Sequence, residues 1–298
     1  MSPDRLMAVT SRDPRRKRQD PPLVRWSLTL IAVAVIVLLV VIPVVNVFWQ
    51  ALANGPGAYW RDLTRDPETI HSIWLTLTVA PVAVLLNVLF GVAAAWAITR
   101  FQFRGRTLLT ALIDLPFAVS PVVAGLMFML LFGLQGYFGK WLQEHGFQIV
   151  FAWPGLVLAT TFVTLPFVAR ELIPVMDAIG SDEETAAVSL GASGWQMFWR
   201  VTVPNIKWGL LYGIILCNAR AMGEYGAVHV VSGHVGGKTS TMPLRVEQLF
   251  QDSKNSASFA LASLLTLLAL VTLFLKTYLE HQTRSALSEG QQEQQHTR

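Results

Sequence analysis

Arg220 and Glu224 stand four residues apart in the apolar stretch CNARAMGEYGAVHVV. That spacing puts a guanidinium and a carboxylate on one helix face, where each can neutralise the other or reach a partner on a second helix. Ionisable groups deep in hydrocarbon cost on the order of several kcal/mol unless paired or hydrated, so they mark functional positions. Two roles are open to this pair: helix packing through mutual neutralisation, or a pathway lining in which Arg220 attracts an anion and the carboxylates relay protons. Asp114, in LIDLPFAVSPVVAG, is a third such group. Pro116 and Pro121 break the same segment, so a proline kink accounts for the interruption as well as a substrate contact at Asp114 does.

Enzyme chemistry is not written in this chain. There is no His-Glu-x-x-His helix and no Gly-x-Ser-x-Gly elbow, and the single Cys217 has no matching His. No catalytic residue, cofactor or metal-ligand set is assigned. The string SGHVGGKTS resembles the end of a phosphate-binding loop, but the position that needs the first glycine is Ser232. The segment reads as a flexible outer loop.

The elements that must position these groups are membrane helices. Hydrophobic residues make up 53% of the 298-residue chain and charged residues only 14%, against roughly 25% charge in soluble domains. Runs long enough to cross about 30 Å of hydrocarbon lie at Ser27–Trp49, Trp74–Ile98, Leu108–Phe132, Ile149–Ala169, Trp208–Val231 and Ser258–Leu279. The fold class is therefore all-α integral membrane, with six spans. The first run is too long for a signal peptide and has no small-residue cleavage site.

Sixteen Lys and Arg flank the spans on the side of the termini and six on the other. The positive-inside rule puts both termini and residues 170–207 in the cytoplasm, and Tyr59 and Lys238 outside. The string RRKR is then an orientation signal, not a nucleic-acid patch. Residues 1–25 form a basic tail and 285–298 a Gln/Glu-rich one, both too polar to pack, on either side of one helical domain at 26–284. The connection Gly55–His71, with NGPG and RDP, reads as a short outer turn.

Between the fourth and fifth spans lies a polar island, GSDEETAAVSLGASGWQMFWRVTVP. Ser181 with Glu184 and Ser193 with Gln196 have capping-box spacing, so the island holds two capped helices separated by Gly191. Asp182, Glu183 and Glu184 suit the positive end of the first helix, and Ala186, Ala187 and Leu190 give it a small, shallow face. Trp195, Phe198 and Trp199 form a stripe on the second that could lie on the membrane surface or against the bundle.

The island resembles the signature of the membrane subunits of bacterial ATP-binding-cassette importers of type I, the MetI-like family: Glu-Ala-Ala, three residues, Gly, nine residues, then Ile-x-Leu-Pro. Here Ala186-Ala187, Gly191 and Val201-Thr202-Val203-Pro204 keep the spacing, while Thr185 occupies the glutamate position and Glu184 precedes it. A narrower resemblance, carried by ARAMGEYGAV, SPVVAGLMF, LGASGWQMFWRVTVPNI and VVSGHVGGKTSTMPL, is to oxyanion importers, above all the permeases for sulfate and thiosulfate. The resemblance implies an inner-membrane permease that is not itself an enzyme. Its implied partners are a related second permease, two cytoplasmic ATPase copies and a periplasmic sulfate/thiosulfate-binding protein. It also implies that Glu184, Thr185, Ala186, Ala187, Gly191 and Pro204 belong to a coupling loop docked on the ATPase. Molybdate or tungstate is the alternative cargo, and a proton-coupled secondary transporter the alternative class.

Overall fold

The computed structural model describes residues 22–296, with side chains described for 23–278. Most of the basic tail, residues 1–21, lies outside the described residues. The described residues fall into two units, one up to Asn46 and one from Val47 onward. The first holds α1 (Pro22–Ile36), a π turn (Val37–Val41) and the start of α2 (Ile42–Leu52). None of its described side chains up to Asn46 is buried. A helix apolar on all sides is suited to lipid, and Leu23–Leu52 is long enough to cross it.

The second unit contains α3 (Pro56–Thr64), α4 (Pro67–Arg100), α5 (Arg106–Ala118), α6 (Pro121–Phe132), α7 (Gly139–Glu144), α8 (Trp153–Ile179), α9 (Asp182–Ser189), α10 (Gly194–Met197), α11 (Val203–Met222), α12 (Gly226–Ser232), α13 (Met242–Gln251) and α14 (Asn255–His296). No strand occurs among the described residues. Prolines set several starts, because a missing N–H costs nothing in the first turn: Pro56, Pro67 and Pro121 each open a helix. Asp66 caps α4 by accepting from the Glu68 N–H.

The core lies where α4, α8 and α11 meet. Val84, Ala95, Val168, Leu172, Met176, Ile206 and Cys217 are buried there together. Close approach depends on Gly91, where an added Cβ would lie 2.8 Å from the Val168 Cβ. Within this apolar seam, Asn87 of α4 donates to the Thr164 hydroxyl of α8 at 2.7 Å and contacts Cys217 Sγ of α11 at 3.5 Å. Such polar contacts join helices where water cannot compete.

Four segments, Leu23–Leu52, Pro67–Arg100, Trp153–Ile179 and Asn255–Tyr278, are long and apolar enough to cross a membrane, and α5 with α6 make a fifth if that bent pair is one span. The pair bends by 109° at Val119-Ser120, where Pro121 cannot continue the preceding helix. The expected fifth span, Trp208–Val231, is not one helix: α11 ends at Met222 and α12 starts at Gly226. Three further expectations change. The turn-rich connection after Gly55 folds as α3 and the start of α4. The fourth span continues to Ile179, so the first ten residues of the expected 170–207 loop are helical. The backbone of α14 stays helical to His296, through most of the tail that composition marks as too polar to pack.

The SGHVGGKTS segment is also not a loose loop. Thr239, Ser240 and Thr241 are buried, the Thr239 hydroxyl donates to the Ser232 carbonyl at 2.6 Å, and His71 of α4 lies 3.3 Å from the Lys238 carbonyl. Sequence polarity alone does not reveal that these hydroxyls have backbone partners to fold onto.

Candidate functional site

The polar island forms the two helices that its sequence encodes, but only one of the two capping boxes. At α10 the box closes in both directions: the Gln196 N–H donates to Ser193 Oγ at 3.3 Å, and the Ser193 N–H donates to Gln196 Oε1 at 3.0 Å. At α9, Ser181 makes no side-chain cap. Glu184 is turned away from it and buried.

The Glu184 carboxylate instead accepts from Arg100 Nε at 2.7 Å and from the Thr202 hydroxyl at 2.8 Å. Arg100 also donates to the carbonyls of Met176 and Gly180, at 3.1 and 2.6 Å. One guanidinium thus joins the end of α4, the end of α8 and the first turn of α9. Helix C-termini leave carbonyls without intrahelical donors and carry partial negative charge, so a cation there is stabilising. Both ion-pair side chains are only 11% exposed.

Glu184, expected in the coupling loop, is thus held inside this chain. Thr185 and Ala186 are the exposed pair, with Ala187 half-buried. Leu190, 90% exposed, and Val188 add apolar surface beside them. Pro204 sits at the start of α11, exposed.

Gly191 makes the turn between the helices at φ +88°. The Ala192 N–H donates to the Ala187 carbonyl at 3.0 Å and the Gly191 N–H to the Val188 carbonyl at 2.9 Å. These two bonds are the Schellman pattern, which needs a residue that tolerates positive φ. In the aromatic stripe, Phe198 packs on Trp96 of α4 with centroids 5.3 Å apart, while Trp195 and Trp199 remain exposed. The stripe is therefore divided between the bundle and the surface.

Arg220 and Glu224 do pair, at 2.7 Å. Glu224 is almost fully buried, whereas 35% of the Arg220 side chain is exposed. The carboxylate also acts on the backbone beyond the break, where its Oε1 accepts from the Ala227 N–H at 3.0 Å and caps α12. Asp114 is not near them. Its carboxylate takes a two-pronged contact from Arg170, 2.8 and 3.2 Å, and Arg170 also lies over the Phe117 ring. Each acidic group considered for a proton relay thus has its own arginine.

Arg100 and Thr202 are the residues that sequence reasoning missed. Arg100 counts there only toward orientation, and its position two residues beyond the apolar run Trp74–Ile98 is the one available signal. Arg100 ends α4, whose 34 residues extend about 51 Å at 1.5 Å per residue. Its first end holds Asp66, paired with Arg245 of α13; its last holds Arg100.

The family model described as "Binding-protein-dependent transport system inner membrane component" matches residues 87–285. The chain is 52% identical over 272 residues, 91% of its length and 93% of the relative's, to "Sulfate transport system permease protein CysW" of Escherichia coli (strain K12). It is 36% identical to "Sulfate transport system permease protein CysT" of the same organism, with 80% and 85% covered. In shape it matches a chain of a bacterial alginate ABC transporter, crystallised with its alginate-bound periplasmic protein, at a TM-score of 0.71 and 16% identity, covering 89% and 95% of the two chains. With an all-helical architecture, several lipid-compatible helices and a match over most of its length, the chain belongs to the binding-protein-dependent transport system inner membrane components, the multi-pass permeases of ATP-binding-cassette importers.

Proposed function

We propose that this chain is a permease subunit of an ATP-driven importer that carries sulfate or thiosulfate inward across a bacterial inner membrane. The observation that carries this reading is the 52% identity to a sulfate permease, sustained over 91% of the chain. The subunit is a transport component and works beside a related second permease and a periplasmic binding protein; two copies of a cytoplasmic ATPase supply the energy. Six spans are reached by taking α5–α6 as one and α11–α12 as another broken one. Both termini and the α9–α10 island face the cytoplasm.

The island is the docking element. Its outward face is Thr185, Ala186 and Leu190, and its orientation is fixed from behind by Glu184. Closure of the ATPase pair pushes this face. The Arg100 joint passes the push to α4 and α8, and Thr202 passes it to α11. About 26 Å along α11 lies Arg220, whose movement opens or closes the path. The exposed apolar faces of α5 and α6, with Leu112, Phe117, Val123 and Leu126, are covered by the second permease.

A secondary transporter built on Arg220, Glu224 and Asp114 is disfavoured, because Asp114 pairs with Arg170 and Glu224 with Arg220. Uptake of radiolabelled sulfate, thiosulfate and molybdate in cells lacking this subunit tests the proposal. Loss of sulfate uptake, restored by the gene, is expected. Loss of molybdate uptake alone would reassign the cargo, and uptake by the isolated chain without ATPase would overturn the class.

A further inference from the structure

Three side chains of ligand type meet where α12 ends: His229 in α12, His234 in the following loop and Glu247 in α13. Their ligating atoms lie within 4.8 Å of one another. His229 Nδ1 is 3.0 Å from His234 Nε2 and 3.8 Å from Glu247 Oε2. No spacing in the sequence announces this set, because the loop and α13 have to fold back to bring it together.

Two observations point to a ligand. Glu247 Oε1 accepts from the Gln251 amide, but Oε2 is shielded from water and accepts no hydrogen bond. A buried carboxylate oxygen with no donor is unfavourable and calls for a cation. His234 also holds φ +55°, a conformation that a non-glycine residue adopts at a cost and keeps where its surroundings impose it. Its N–H donates to Ser232 Oγ at 3.2 Å, which holds the turn that presents the imidazole to His229.

We propose that His229, His234 and Glu247 form a binding site for a divalent transition-metal ion, zinc being the best match, with a fourth position left to water. Two imidazoles and one carboxylate are the donor set of an open zinc site. Calcium and magnesium prefer six or more oxygen ligands and are poorly served here. Zinc bonds of about 2.0–2.1 Å place neighbouring tetrahedral ligands about 3.3 Å apart. The histidine nitrogens are already near that separation, and the carboxylate closes the rest by a small rotation. His229 and Glu247 are 38% and 30% exposed, which gives the ion a way in. Once bound, it ties α12, the loop and α13 together at the first end of α4.

The test uses the assembled complex in lipid nanodiscs, stripped with a chelator, then loaded with zinc or cobalt(II) and desalted. One zinc per copy of this chain is expected, together with the intense visible absorption of four-coordinate cobalt. His234→Asn and Glu247→Gln should each weaken zinc binding at least tenfold. The cobalt spectrum of the unmodified complex needs no variant, so a variant that fails to assemble does not blunt the test. An unmodified complex that retains neither zinc nor the cobalt spectrum, or no more of either than an assembled His229→Asn/His234→Asn form, would reduce the cluster to a hydrogen-bonded histidine pair.

Discussion

Arg100→Ala should damage this protein more than Glu184→Ala, although the two side chains form one ion pair. Both are nearly buried and meet at 2.7 Å, and breaking such a pair from one side costs about 3–5 kcal/mol because the other charge is stranded. The structure makes the two sides unequal. Without Glu184, Arg100 still donates to the Met176 and Gly180 carbonyls at a helix C-terminus that favours a cation. That loss, which also takes the acceptor of the Thr202 hydroxyl, should be about 1.5–3 kcal/mol, the scale of a hydrogen bond to a charged group. Without Arg100, Glu184 keeps only the Thr202 hydroxyl, and the loss should reach about 3 kcal/mol or more. Removing both discards the stranded carboxylate, so the double variant should recover about 1–2 kcal/mol relative to Arg100→Ala. Thermal and denaturant unfolding of the purified complex measures the cycle, and co-purification of the ATPase reports whether α9 keeps its place. Equal single losses, or a double loss equal to their sum, would refute the anchoring role.

A Cβ added at Gly191 would meet only open space, so Gly191→Val tests backbone strain at φ +88° alone, about 1–2 kcal/mol; membrane insertion should persist while ATPase association and ATP-driven uptake fall, and Gly191→Asn should be milder. For Arg220 and Glu224, each Ala variant should lower complex yield and the double should restore part of it if neutralisation dominates; loss of uptake at normal yield in Arg220→Ala and the double would instead assign Arg220 to the anion path. At Asp66, burial alone would raise the carboxyl pKa, but hydrogen bonds from Thr69 and Arg245, the Arg245 charge and the Glu68 N–H outweigh it and hold it below 3.8. A depressed folded pKa gives stability that is present above the unfolded value and lost as pH falls through the folded one. The stability gap between the unmodified protein and Asp66→Asn should therefore be flat from neutral pH down to about 5 and narrow below 3.8. Glu68 shares Arg245 at 2.7 Å, so a gap unchanged in acid would mean that Glu68 alone holds the arginine.

The apolar runs and the Lys/Arg asymmetry made membrane helices readable from the chain, because burial in lipid is a property of composition over about 20 residues. The Ser193–Gln196 box, the Gly191 turn and the Arg220–Glu224 pair were readable for a related reason: each joins residues at most five apart, within reach of one helix turn. Distant partners had to come from the fold. Glu184 has capping-box spacing to Ser181, yet an arginine 84 positions earlier outcompetes a local serine because a buried charge needs an opposite charge more than a backbone N–H needs an acceptor. Asp114 likewise finds its arginine, Arg170, 56 positions away, a pairing that only the fold brings about. Where the fifth run breaks was likewise decided in three dimensions, since nothing in its hydropathy marks Gly223; there the Glu224 carboxylate supplies the cap that lets a second helix begin.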